Sequence, residues 1–147
     1  MREILFKAKR KDNGEWVEGS LVHRKASVGK SELCLIVCSA EWLDNPKWFI
    51  LCNTHYVDPE TVCQYTGLKD KNGKKIFEGD ILKYSWYIGD HLISENIIEI
   101  HYKDGSFCYR ENDEDYFIPI DDSEYGISLN TYEVIGNIFD NPELLEV

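Results

Sequence analysis

A chain of 147 residues has room for one domain or two very small ones. Its 43% hydrophobic and 13% aromatic residues exclude a disordered segment. Its 27 acidic against 16 basic side chains leave a net charge of -11, which argues against a protein that works by broad attraction to phosphate backbones.

The charge is uneven. Residues 1-50 hold nine basic and seven acidic side chains, residues 51-100 five and eight, and residues 101-147 two and twelve. The excess therefore belongs to the last third, where a solvated face is the plainest explanation. At the start, Ile4, Leu5 and Phe6 are the only apolar residues before the next charge at Lys7. That is far short of the roughly 7-15 of a signal-peptide core. No uncharged apolar run approaches the roughly 18 residues of a membrane helix. The expectation is a soluble, cytoplasmic protein with no membrane partner.

In chain order, Phe6 and Ala8 alternate with Lys7 and Lys9, which predicts a strand. Asp12-Asn13-Gly14 is a hairpin signal, and the chain returns through Trp16 to Gly19. Phe6 and Trp16 are candidates for one buried face of that hairpin. Ala26 to Lys30 is a polar connection. Leu33 to Ser39 is a nearly continuous apolar run and predicts a buried strand, with Cys34 and Cys38 as small buried thiols on one side. Trp48 to Cys52 predicts another strand after a turn at Asp44-Asn45-Pro46. Asp58-Pro59-Glu60 has the cap, proline and acid of a helix start, but little helical periodicity follows.

Asp70-Lys71-Asn72-Gly73-Lys74 predicts a second hairpin turn. Gly79-Asp80 leads into a strand at Ile81 to Tyr87, in which Leu82, Tyr84 and Trp86 alternate with Lys83, Ser85 and Tyr87. Ile97 to Tyr102 is a strand, Lys103-Asp104-Gly105 a third turn, and Ser106 to Arg110 the returning strand. Tyr116 to Ile120 and Tyr132 to Ile138 are the last two. Asn141-Pro142 predicts a short terminal helix. Many short strands with frequent turns and no long amphipathic helix predict an all-β fold, a small barrel or sandwich assembly with one or two helical turns. The organisation expected is an N-terminal hairpin and strand region over 1-60 and a barrel region over 61-147, which could form one compact unit.

Few residues propose chemistry. Gly67 to Lys75 fails as a phosphate loop, because five residues separate Gly67 from Gly73 and Lys75 stands where Ser or Thr belongs. It fails as a calcium loop because Ile81 falls where a bidentate Glu is needed. Glu78 and Asp80 could pair for acid-base work, but a turn explains them as well. Cys63 with His55 and Asp58 could compose a thiol nucleophile, though closeness in sequence is no sign of it. The five cysteines and four histidines show no metal spacing. The expectation is no enzyme, no cofactor and no metal.

Binding is the remaining class. Tyr84 and Trp86, with Lys69, Lys71, Lys74, Lys75 and Lys83 nearby, are candidates for stacking bases and meeting phosphates. Asp113, Asp115, Asp121 and Asp122 lie in the acidic runs. They are candidates for imitating a phosphate backbone or for docking a basic protein.

Three segments then suggest a family. Tyr65 to Ile81, Val134 to Leu145, and the opening Phe6-Lys7-Ala8 with Trp16 to Gly19 resemble the YopX family of phage and prophage proteins. The resemblance implies a small phage or prophage protein in a bacterial host. It also implies a β-barrel with a C-terminal part similar to an SH3-like barrel. It carries over no catalytic residues. The function expected is a non-enzymatic, macromolecule-binding protein that engages a host or phage protein, or alternatively nucleic acid, or that acts as an acidic DNA mimic. Exposed strand edges leave a homo-oligomer open.

Overall fold

The structure is a computed structural model and describes residues 3-42, 49-110, 117-120 and 132-146. Trp42, Phe49 and Trp86 are described by their backbone alone. The turn expected at Asp44-Asn45-Pro46 lies outside the described residues. The fold is all-β, as the sequence predicts. Its elements form two antiparallel sheets, and the only helical pieces described are two 3-10 turns, Pro59–Thr61 and Pro142–Leu145. The hydrogen-bonded order establishes sheets; closure into an SH3-like barrel is not part of it. No helix among the described residues is long and apolar enough to cross a membrane.

The chain divides into two compact units, Met1–Tyr65 and Thr66–Val147, and the division falls inside a strand. The first unit holds β1 (Phe6–Lys9), β2 (Trp16–Arg24), β3 (Leu33–Trp42), β4 (Phe49–Tyr56) and the start of β5 (Cys63–Lys69). Its order is β4-β3-β2-β1-β5. The Asp12-Asn13-Gly14 hairpin is present, with Gly14 at φ 74° and Lys9 opposite Trp16. Residues directly opposite in an antiparallel pair share a face. Ala8 opposes Val17 and Phe6 opposes Gly19, and these face a core of Ala8, Cys34, Ile36 and Val57.

That register corrects two readings. Trp16 opposes Lys9, so it shares the other face with Lys7, not the core face with Phe6. There the Lys7 and Lys9 ammonium groups stand 5.0 and 5.5 Å from its ring centre, a cation-π arrangement. Cys38 is exposed while Cys34 is buried, because β3 outruns the core that covers Cys34.

Gly19 is required by a close approach. A Cβ there would fall inside the Val37 carbonyl and against the Ile36 side chain, so β2 passes β3 only without one. The helix-start signature yields the short Pro59–Thr61 turn, in which the Glu60 amide donates to Asp58 Oδ1 at 3.1 Å.

The second unit holds the rest of β5, then β6 (Lys75–Phe77), β7 (Asp80–Ile88), β8 (His91–Lys103), β9 (Ser106–Arg110), β10 (Phe117–Pro119) and β11 (Tyr132–Asn137). The five-stranded order is β10-β9-β8-β7-β11. Its core gathers Ile76, Leu82, Tyr84, Ile98, Ile100, Phe107, Tyr109, Ile120 and Tyr132. Leu82 and Tyr84 of β7 and Ile98 and Ile100 of β8 reach that core, two residues apart on each strand as one face of a sheet requires. Fully burying each large apolar side chain stabilises by about 1.5-3 kcal/mol. The Asp104-Gly105 turn has both residues at positive φ, 52° and 85°, as a two-residue hairpin of the I′ type requires.

Candidate functional site

The β5-β6 turn is built around one carboxylate. Asp70 is buried, and its Oδ1 accepts from the Asn72 and Lys74 amides at 2.8 and 2.9 Å. Its Oδ2 accepts from the Val134 amide on β11 at 3.0 Å. Burial pushes this carboxyl up. The backbone donors outweigh burial and hold it below the usual Asp value. The neighbouring Lys71 amide donates to the Tyr132 carbonyl at 2.9 Å, which ties the same turn to the same strand.

A second turn repeats the device. Asp80 is 1% exposed, and its Oδ2 accepts from the Phe77 amide at 2.8 Å. Gly79, at φ 74°, donates to the Ile100 carbonyl at 2.8 Å and accepts from the Ile138 amide at 2.9 Å. Asp80 and the half-buried Glu78 therefore present no open carboxylate pair. One member, Asp80, is fixed inside the fold by a backbone donor.

The candidate binding residues scatter. Tyr84 is in the core, its ring stacked on Tyr132 with centroids 5.1 Å apart. A ring held this way has no face to offer a base, so Tyr84 leaves the candidate surface. Trp86 lies on β7 opposite Ser94, and its side chain is outside the described residues. Lys69, Lys71 and Lys74 are exposed and Lys75 is half-buried. Lys71 pairs with Glu133 at 2.5 Å and Lys83 with Glu95 at 2.9 Å. Hydrogen bonding to Glu95 pushes the Lys83 ammonium up, and the same bond pulls Glu95 down. Asp113, Asp115, Asp121 and Asp122 lie outside the described residues.

Sequence reading missed two features. The first is cationic. Lys103 Nζ stands 4.1 Å from the centre of the Phe117 ring, Arg110 Cζ 6.0 Å from it, and His101 meets it edge-on at 5.4 Å. The two basic residues of the acidic last third thus converge on one ring.

The second feature is the outer part of the β7-β8 hairpin. β11 pairs with β7 only as far as Tyr84, and β9 pairs with β8 only from Ile100 onward. Residues 85-88 pair with 91-95 beyond the reach of β11, and β8 over 91-99 meets no further strand among the described residues. Every residue from Tyr87 to Glu95 is exposed. Five large apolar side chains stand on this ribbon, Tyr87, Ile88, Leu92, Ile93 and Ile97, each between 41 and 64% exposed. The sequence carried a signal for it. Gly89-Asp90 joins Ile88 to His91, with Gly89 at φ 60°, the two-residue turn of the II′ type. The register shifts between Trp86 and Tyr87, so the ribbon also holds a bulge.

The two turns explain a pattern of relatedness. Residues 5–146 match the family model described as YopX protein. The chain belongs to the YopX family. Its two strongest motif segments, 65-81 and 134-145, are far apart in sequence. Asp70 to Val134 and Gly79 to Ile138 join them by hydrogen bonds. The motif residues of this YopX-family chain are thus the ones that set turns and fasten β11. The crystal structure of protein EF1440 from Enterococcus faecalis is similar over 99% of both chains, with 29% identity and a TM-score of 0.62. No curated protein matches the chain.

Proposed function

We propose that this YopX-family protein is a phage or prophage protein of the bacterial cytoplasm that acts by binding another protein, without catalysis, through the β7-β8 ribbon. The observation that carries the reading is the concentration of Tyr87, Ile88, Leu92, Ile93 and Ile97 on one exposed ribbon. Scattered apolar residues are normal on a surface, but five on one short hairpin, Tyr87 and Leu92 on one face and Ile88, Ile93 and Ile97 on the other, are a concentration that supports an interaction site. The carboxylates that proposed chemistry support the same reading, since Asp70 and Asp80 serve backbone amides. Tyr84 in the core and Lys71 and Lys83 in ion pairs favour a protein partner over nucleic acid.

The test is affinity capture with chemical cross-linking in the bacterial cell, comparing the wild-type chain with Tyr87→Ser/Ile88→Ser. A stoichiometric protein, a second copy included, should be retained by the wild type and lost by the variant. Equal capture by both chains, or none by either, overturns the ribbon as the working surface.

A further inference from the structure

Two Asn-Gly pairs stand in the chain, Asn13-Gly14 and Asn72-Gly73, each in an exposed hairpin turn. Such a pair carries its own reaction, because a glycine has no side chain to shield its amide from the preceding carboxamide. We infer that Asn72 is a self-modification site that converts spontaneously to isoaspartate, and that the turn at Asn13 is built against the same reaction.

The step needs only water and base. The Gly73 amide nitrogen gives its proton to hydroxide and attacks Cγ of Asn72. A bond from nitrogen to Cγ forms, and the carboxamide nitrogen leaves as ammonia with a proton returned by water. A second water then opens the cyclic imide. Breaking the new bond at Cγ leaves aspartate. Breaking the original bond at the Asn72 carbonyl carbon leaves isoaspartate, with the main chain running through Cγ. Nothing is oxidised or reduced.

The two glycines are alike. Gly14 and Gly73 lie at φ 74° and 79°, with open space where a Cβ would stand. Their amides donate to the Arg10 and Asp70 carbonyls at 3.0 and 2.9 Å. The asparagines differ. Asn13 is held at both ends of its carboxamide: Nδ2 donates to Glu15 Oε2 at 2.8 Å, and Oδ1 accepts from the Glu15 amide at 3.0 Å. Turning its Cγ toward the Gly14 nitrogen breaks both bonds. Among the described residues the Asn72 side chain makes no hydrogen bond, and only its backbone amide is engaged, by Asp70 Oδ1.

Charge acts in the same direction. Loss of the amide proton creates an anion, which nearby cations stabilise and nearby anions oppose. Residues 10-15 hold two basic and two acidic side chains, with Asp12 and Glu15 flanking the pair. Residues 69-75 hold four lysines and one acid, Asp70, with Lys71 and Lys74 flanking the pair. Arg10 pairs with Asp12, and Lys71 with Glu133. The first turn is therefore neutral and the second positive. The site also matters to the fold. The Asn72 and Lys74 amides bracket Gly73 and share Asp70 Oδ1. Isoaspartate inserts an extra carbon into the backbone between them and pulls them out of register with that one oxygen.

Keeping the full chain at mildly alkaline pH, with peptide mapping and enzymatic isoaspartate labelling over time, tests this. Acid should accumulate severalfold faster at position 72 than at position 13. Glu15→Ala should speed the reaction at 13 and Lys74→Gln should slow it at 72; both replace exposed side chains. Equal rates at the two pairs, faster reaction at 13, or rates unmoved by both variants overturn the proposal. So does a folded chain in which neither pair reacts while both react in urea. The separated isoaspartate fraction should unfold at lower urea than the unreacted chain, whereas Asn72→Asp, with its normal backbone, should match it. An isoaspartate fraction as stable as the unreacted chain overturns the link to the Asp70 turn.

Discussion

Asp70 and Val134 are 64 residues apart in sequence, and the Val134 amide donates to the Asp70 carboxylate at 3.0 Å. With the Asn72 and Lys74 amides it makes three charge-assisted bonds to one buried carboxylate. Each such bond is worth about 1.5-3 kcal/mol, and the sum is never fully additive. Asp70→Ala leaves three amides unsatisfied and should destabilise the second unit by about 3 kcal/mol. Urea unfolding followed by tyrosine fluorescence measures it, and a loss below about 1 kcal/mol would mean the amides find other partners.

The same carboxylate sets a pH dependence. Its folded value lies below its unfolded one, so the unfolded chain binds more protons as the solution turns acid. Its contribution is fully present above the unfolded carboxyl range and is lost as pH falls through the folded value. Asp70→Asn should therefore flatten the acid limb of the stability curve. Urea midpoints of the two proteins measured from neutral to strongly acid pH should converge. Parallel acid limbs would assign the loss to other carboxylates.

Gly19→Ala places a methyl against the Val37 carbonyl, a backbone atom that cannot turn aside as a side chain can. Overpacking of this kind costs about 1-3 kcal/mol. Thermal unfolding of the isolated variant should show a lowered midpoint, and an unchanged one would show that β2 and β3 can separate without loss.

Cysteine reactivity should sort by burial. Cys38 is exposed and Cys52 half-buried, whereas burial pushes the Cys34 and Cys108 thiols up and away from the reactive thiolate. In the native protein an aromatic disulfide reagent should modify Cys38 first and Cys52 second. Cys34, Cys63 and Cys108 should react at the rate of unfolding. Mass mapping of partly labelled protein reads the order directly, and early labelling of Cys108 would contradict its position beneath the sheet surface.

Tyr84→Ala should destabilise by about 3-5 kcal/mol, as expected when a buried aromatic is removed. Tyr84→Phe should cost much less, because the stack on Tyr132 survives. Differential scanning calorimetry separates the two, and equal losses would mean the hydroxyl rather than the ring holds the site.

The turns were legible in the sequence because their chemistry is local. Asp12-Asn13-Gly14, Asp70 to Lys74 and Asp104-Gly105 contain residues that accept positive φ, and all three appear as hairpins. The faces were less legible. Trp16 reads as a partner of Phe6 on one buried face, but the length of the loop before it sets its parity, and it lies opposite Lys9. Cys38 follows the right alternation and still escapes burial, since periodicity cannot say where a core ends. The ribbon was missed for a related reason. Isoleucine and leucine next to a turn suggest a buried strand, and only the registers of β9 and β11 reveal that nothing in the described chain covers them.

β11 has a consequence for how the protein folds. It pairs with β7 and fastens the turns at Asp70 and Gly79, and Tyr132 and Asn137 reach their partners Tyr84 and Asp80 across a long intervening stretch of chain. In the first unit, β2, β3 and β4 join as successive hairpins and can pair locally. The second sheet instead depends on a non-local pairing, whose loop-closure entropy opposes it before its contacts form.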